Sequence, residues 1–163
     1  MSAHPRVPTL YVVAGPSGSG KSTFFPVAEF GVDSFNIDDR AAALNGGCYQ
    51  HIPPEVRRQA ISECKSFIET HIRGGVSFAV ETTLRDGAAI EQAREARSRG
   101  FMTLMTYVAT DDVDENIRRV TARGSGGGHS APASVLRLVY DGSLSHLPEA
   151  IRVFDSVALF DAS

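Results

Sequence analysis

The chain has little cysteine, no long apolar run and no strong excess of charge, and each shortage removes a class of protein. Its two cysteines, Cys48 and Cys64, make neither a disulfide framework nor a C-x-x-C metal pattern. They read as small apolar side chains in reducing surroundings. Nothing approaches eighteen continuous apolar residues, so no membrane-spanning helix is expected. The opening Met-Ser-Ala-His-Pro-Arg lacks the apolar core of a signal peptide, which points to a cytoplasmic protein. A net charge of −3 supplies no basic field, so nucleic acid is not an expected partner. Repeats, interdomain linkers and low-complexity tails are missing too. What is present is ordinary: 42% hydrophobic and 21% charged residues suit one globular domain spanning 1–163 with a substantial core.

Against this plain background one stretch stands out, Gly15-Pro16-Ser17-Gly18-Ser19-Gly20-Lys21-Ser22, followed by Thr23. Its spacing is G-x-x-x-x-G-K-[ST], the phosphate-binding P-loop. Gly15, Gly18 and Gly20 allow a tight turn in which successive N–H groups face one anion. A helix beginning near Lys21 would add its positive N-terminal end. Lys21 can reach the β- and γ-phosphates of a nucleoside triphosphate, and the Ser22 hydroxyl can ligate Mg²⁺. The apolar run Leu10–Ala14 before the motif supplies the strand that this reading requires.

Taken in order, the chain alternates strands and helices. The first strand is expected over about Thr9–Ala14. Pro26 keeps the following helix short. A second strand is expected through Gly31–Asp39, ending in paired carboxylates. Pro53-Pro54-Glu55 opens a long helix with Val56, Ala60, Cys64, Phe67, Ile68 and Ile72 on its buried stripe, closed by Gly74-Gly75. Val76–Val80 forms the third strand and delivers Glu81-Thr82-Thr83. Asp86 caps an alanine-rich helix that stops at Gly100. Phe101–Val108 is the fourth strand. Asp111, Asp112 and Asp114 open a helix whose later turns carry Arg118, Arg119 and Arg123, an order that suits the helix dipole. Val113, Ile117 and Val120 are its expected buried residues. Pro132 begins a last helix with Val135, Leu136, Val139 and Leu144 as apolar positions, and Arg152–Phe160 is the fifth strand. The expected fold is α/β: a three-layer P-loop NTPase with a mostly parallel five-stranded sheet, similar to nucleoside and adenylate kinases. Ligands then bind beyond the carboxyl ends of the strands, where the P-loop, Asp38 and Glu81 should meet.

Phosphoryl transfer needs a group to deprotonate the acceptor and cations for the moving charge. Asp38 is the candidate base, with helix capping as the plainer reading of Asp38 and the preferred one for Asp39. Glu81 fits either a Mg²⁺-associated carboxylate or an acceptor of a substrate hydroxyl proton, and Thr83 offers a hydroxyl in the same loop. Arg123 borders a glycine-rich segment and Arg137 follows it. Residues from about 124 to 132 read as a flexible lid that carries arginines over the triphosphate and excludes water. Gly126-Gly127-Gly128 follows a helix, so it is not a second phosphate loop.

The P-loop, Phe35-Asn36-Ile37-Asp38, Glu81-Thr82-Thr83-Leu84 and Arg119-Val-Thr-Ala-Arg123 before Gly-Gly-Gly-His129 together resemble the zeta toxin family, in particular its small single-domain kinases. The similarity continues through Pro132, Tyr140, Ser143-Leu144 and Phe160-Asp-Ala-Ser163. The resemblance implies a kinase that uses ATP or GTP with Mg²⁺ to phosphorylate the 3′-hydroxyl of UDP-N-acetylglucosamine or a related metabolite, and an antitoxin that blocks the nucleotide site. By position it implies Lys21 and Ser22 for phosphate and metal, Asp38 as base, Glu81 and Thr83 for the sugar, and Arg123 and Arg137 at the transferring phosphate. A shift of one turn would exchange Arg119 for Arg123. The pattern departs where relatives carry consecutive basic residues and this chain has Arg137-Leu138-Val139, and where Gly142 replaces a basic residue. A general kinase for sugar acids, antibiotics or nucleosides, or a nucleotide-binding relative without catalysis, would share most of these features.

Overall fold

The computed structural model describes residues 6–126 and 131–163. Five strands form one sheet: β1 (Thr9–Ala14), β2 (Asp33–Phe35), β3 (Phe78–Thr82), β4 (Met102–Ala109) and β5 (Ser156–Asp161). All neighbours are parallel, and the order is β2-β3-β1-β4-β5. The expected sheet is therefore parallel throughout. Among the described residues six α-helices connect the strands: α1 (Lys21–Phe24), α2 (Ile37–Leu44), α3 (Pro54–Gly74), α4 (Ala88–Ser98), α5 (Val113–Ser125) and α6 (Ala133–Val153).

The central strand β1 buries Leu10, Val12, Val13 and Ala14, as expected of a strand covered on both faces. Leu10 and Val12 join the larger core, where Cys64, Ile68 and Ile72 of α3, Ala89, Ile90, Ala93 and Ala96 of α4, and Ala150 and Val153 of α6 meet Phe78, Met105 and Tyr107. Burial pushes the Cys64 thiol up to about 11, so it is an inert core group. On the opposite face Val13, Ala79 and Val108 pack with Val27, Phe25, Phe30 and Val32. That second layer is thin because α1 lasts one turn before Pro26.

Several boundaries move. The second strand stops at Phe35, because the Asn36 side chain accepts from the N–H groups of Asp38 and Asp39 and starts α2. Asp38 and Asp39 thus lie in the first turn of a helix, not at a strand end, and neither caps it. Gly87, not Asp86, is the N-cap of α4, although Asp86 Oδ1 still accepts from Ala88 N–H at 3.0 Å. The last helix continues to Val153, so the fifth strand begins at Ser156 rather than Arg152. In α6, Leu136 and Val139 are buried, whereas Val135 and Leu144 are exposed. In α5, Asn116 and Val120 are buried and Val113 and Ile117 only partly so. The expected lid divides: Gly124 and Ser125 belong to α5, Pro132 is the N-cap of α6, and residues 127–130, including His129, lie outside the described residues.

Candidate active site

The carboxyl ends of β1, β3 and β4 bring the P-loop, Glu81 and the start of α5 to one edge of the sheet, as the parallel architecture requires. The P-loop is held by close backbone approaches. At Gly15 (φ +144°) a Cβ would stand 2.0 Å from the Val108 carbonyl oxygen, and at Gly18 (φ +80°) 2.4 Å from that of Asn116. Both positions therefore demand glycine on two counts, space and backbone region. Gly15 N–H is tied to the Thr82 carbonyl at 3.2 Å. Among the described residues, the N–H groups of Gly18, Gly20, Lys21 and Ser22 donate to no other group, which leaves a ring of donors at the strand ends. With α1 only four residues long, this loop rather than a long helix dipole makes the anion cradle.

Lys21 lies buried in the loop, its Nζ donating to the Gly15 carbonyl at 2.7 Å and the Pro16 carbonyl at 3.0 Å. An ammonium has three protons, so one remains for a phosphate oxygen. Burial depresses the Lys21 ammonium below the ordinary lysine value, while the charges of Glu81 and Asp38 oppose that fall and Arg123 adds to it. The Ser19 hydroxyl under the loop is fully buried, with no hydrogen-bond partner among the described residues.

Glu81, at the end of β3, joins the P-loop to α2. Its Oε2 accepts from Ser22 Oγ at 3.0 Å and from Asn36 Nδ2 at 3.2 Å. Burial raises the Glu81 carboxyl above the usual carboxylate range, against the pull of Lys21 and Ser22. A half-buried carboxylate and a hydroxyl sharing one contact form an all-oxygen donor pair of the kind that suits Mg²⁺. No group of three or more His, Cys, Asp or Glu side chains that could hold a metal ion occurs among the described residues. Asp38 is half-buried and lies 3.7 Å from Arg57 of α3. Asp39 is exposed and accepts from the Tyr49 hydroxyl at 2.7 Å.

After Glu81 the chain turns sharply. Thr83 is partly buried in the loop, and the buried Leu84 adopts φ +59°, its N–H donating to Thr82 Oγ1 at 3.1 Å. A leucine in the left-handed region is held there against its preference, a kind of strain that collects at functional sites. Gly142 of α6 lies against the same loop. A Cβ there would sit 2.8 Å from the Arg85 carbonyl oxygen, so α6 packs directly on this loop and has no room for a basic side chain.

The arginines of α5 and α6 are not equivalent. Arg118 pairs with Glu115 and Asp112, Arg119 with Glu115 and the Ala162 carbonyl, and Arg137 with Asp114. Arg123 is exposed and makes no ion pair with a carboxylate among the described residues. No described contact links Arg137 to the P-loop. Sequence reasoning passed over Asn36 and Arg57. Asn36 had a signal, since an Asn followed three residues later by an acidic side chain marks a helix start; Arg57 had none, being one of several arginines on an exposed helix face.

No protein-family model matches the chain. An uncharacterized protein of Haemophilus influenzae is 28% identical over 130 residues, 77% of this chain and 88% of that protein. Among solved structures, a presumed kinase of Chloroflexus aurantiacus superposes with TM-score 0.68 and 18% identity, over 97% of this chain and 90% of that one. A chain of the PezAT chromosomal toxin–antitoxin system of Streptococcus pneumoniae superposes with TM-score 0.66 and 15% identity, over 98% of this chain and 70% of that one. The complex AvrRxo1-ORF1:-ORF2 with ATP gives TM-score 0.73 and 18% identity, over 95% of this chain and 55% of that one. At these identities the likeness is one of fold. The chain has the α/β fold of the P-loop kinases, and among its described residues no helix is long and apolar enough to cross a membrane.

Proposed function

We propose that this protein is a cytoplasmic, single-domain small-molecule kinase that moves the γ-phosphoryl group of ATP or GTP to a hydroxyl of a nucleotide sugar resembling UDP-N-acetylglucosamine. The observation that supports the reading is the hydrogen-bonded line from Ser22 of the P-loop through Glu81 and Asn36 to the turn that bears Asp38. A nucleotide-binding switch needs the loop and its lysine; it has no need of a carboxylate base tied to them.

In this reading the loop N–H groups and the remaining Lys21 proton bind the β- and γ-phosphates. When bound, Mg²⁺ would neutralise charge on their oxygens, held by Ser22 and supported by Glu81. Asp38 receives the acceptor hydroxyl proton as the acceptor oxygen bonds to the γ-phosphorus. The bond between that phosphorus and the β–γ bridging oxygen breaks, and the nucleoside diphosphate leaves with the electron pair. Glu81 and Thr83 orient the acceptor, and Arg123 and Arg137 meet the charge spread over the transferring group, Arg137 only after release from Asp114. The PezAT and AvrRxo1 likenesses, both to proteins characterised with partners, together with the sequence resemblance, support an antitoxin protein as the regulatory partner.

The test is direct. Incubation with Mg-ATP or Mg-GTP and UDP-N-acetylglucosamine should yield a product heavier by one phosphoryl group in the mass spectrum. Transfer to a sugar acid, antibiotic or nucleoside instead would make it a general metabolite kinase. Nucleotide binding with no product across the panel would leave a non-catalytic relative.

A further inference from the structure

We propose that Asn36 is a positioning residue that locks the base-bearing turn of α2 to the metal-side carboxylate Glu81, so that P-loop occupancy and Asp38 placement are coupled. This rests on the kinase reading of the same site. The side chain uses both ends. Its Oδ1 accepts from Asp38 N–H at 2.9 Å and Asp39 N–H at 3.2 Å, while its Nδ2 donates to Glu81 Oε2 at 3.2 Å. The same Oε2 accepts from Ser22 Oγ at 3.0 Å. One continuous chain of hydrogen bonds therefore runs from the P-loop hydroxyl through Glu81 and Asn36 to the backbone of Asp38.

An ordinary helix cap needs only the acceptor. Serine, threonine and aspartate would start α2 equally well. Aspartate has no proton to give, and serine and threonine have only one O–H, on the capping oxygen itself and on a shorter side chain, so among the good caps asparagine is the one that holds the turn and Glu81 through two separate atoms. The position has the demands of a bridge, not merely of a cap. β2 lasts three residues and pairs with β3 only through Phe35, so ladder bonds stop before the site begins. Beyond that point the registration of Asp38 against Glu81 falls to side chains, Asn36 first among them.

The coupling follows from donor chemistry. A hydroxyl that ligates a cation turns its lone pairs to the metal and its proton to a neighbouring acceptor, here Glu81. Metal-nucleotide binding at Ser22 thereby strengthens the Glu81 end of the chain and fixes the Asn36 amide, which sets the helix turn carrying the base. Removing such an outer hydrogen-bond partner costs about 10- to 100-fold in the chemistry it supports.

Asn36→Ser separates bridge from cap. It keeps the capping oxygen and removes the amide that reaches Glu81. The expected result is an unchanged melting temperature, Mg-ATP affinity within about twofold of the parent, and kcat lower by about 10- to 100-fold. Asn36→Asp also caps, but sets a second carboxylate against Glu81, and should fall further. Wild-type kcat in Asn36→Ser would overturn the proposal, since a plain cap would be fully rescued. A second readout does not need transfer. In the wild type, Mg-ATP should slow amide exchange at Asp38 and Asp39, and in Asn36→Ser that slowing should be lost. If no acceptor is ever phosphorylated, the kinase reading fails and this exchange comparison still decides the bridge: slowing retained in Asn36→Ser overturns it.

Discussion

The two halves of the site are built on different principles. The nucleotide half is backbone: Gly15 and Gly18 are wedged against the Val108 and Asn116 carbonyls, and the buried Lys21 is bonded to two more carbonyls of its own loop. The half proposed for the acceptor is side chain. Asp38 and Asp39 lie on the first turn of a helix and are steadied by Asn36, Arg57 and Tyr49. Every nucleoside triphosphate presents the same phosphates, so one rigid backbone cradle serves them all. Acceptors differ, and a half made of replaceable side chains can be reshaped without disturbing the cradle.

Substitutions on the two sides should therefore fail in different ways. Lys21→Ala should do the greatest damage to function. Loss of its charge and protons is expected to weaken nucleotide binding and lower kcat by about 10²- to 10³-fold, measured by calorimetry and steady-state kinetics. Gly15→Ala should break the cradle structurally. With its Cβ 2.0 Å from the Val108 oxygen, it is expected to cost about 3 kcal/mol or more in a urea melt. On the acceptor side, Glu81→Gln should separate stability from activity. Burial disfavours the charged carboxylate, so the neutral amide is expected to raise the melting temperature of the ligand-free protein at neutral pH while turnover falls. A melting temperature that drops with turnover would show that Glu81 serves structure first. Asp39→Asn should be the mildest. It weakens one exposed bond to Tyr49, and kcat should stay within about threefold of the parent.

The same division decides what the sequence could reveal. The P-loop was legible because a backbone that must pass within contact of other backbone leaves glycines at fixed intervals in one short stretch. The sheet was legible from the apolar runs of β1 and β4 and the clean stripe of α3. At the acceptor side the paired aspartates suggested a strand end, whereas the Asn36 cap turned them into a helix start; capping competes with strand pairing over two or three residues that hydrophobic periodicity does not reach. The Asp38–Arg57 approach and the Gly142–Arg85 contact join residues far apart in the chain and leave no spacing to read. The arginines were ambiguous for a related reason. Arg118, Arg119, Arg123 and Arg137 look alike in sequence and differ only in which carboxylates the fold sets beside them.

The account stands most directly on Asp38→Ala, assayed in one preparation for Mg-ATP affinity and for phosphoryl transfer to whichever acceptor the wild type accepts. Nucleotide affinity within about twofold of the parent, with kcat reduced by about 10²- to 10⁴-fold, is the predicted result. An Asp38→Ala protein that turns over at the wild-type rate would contradict it.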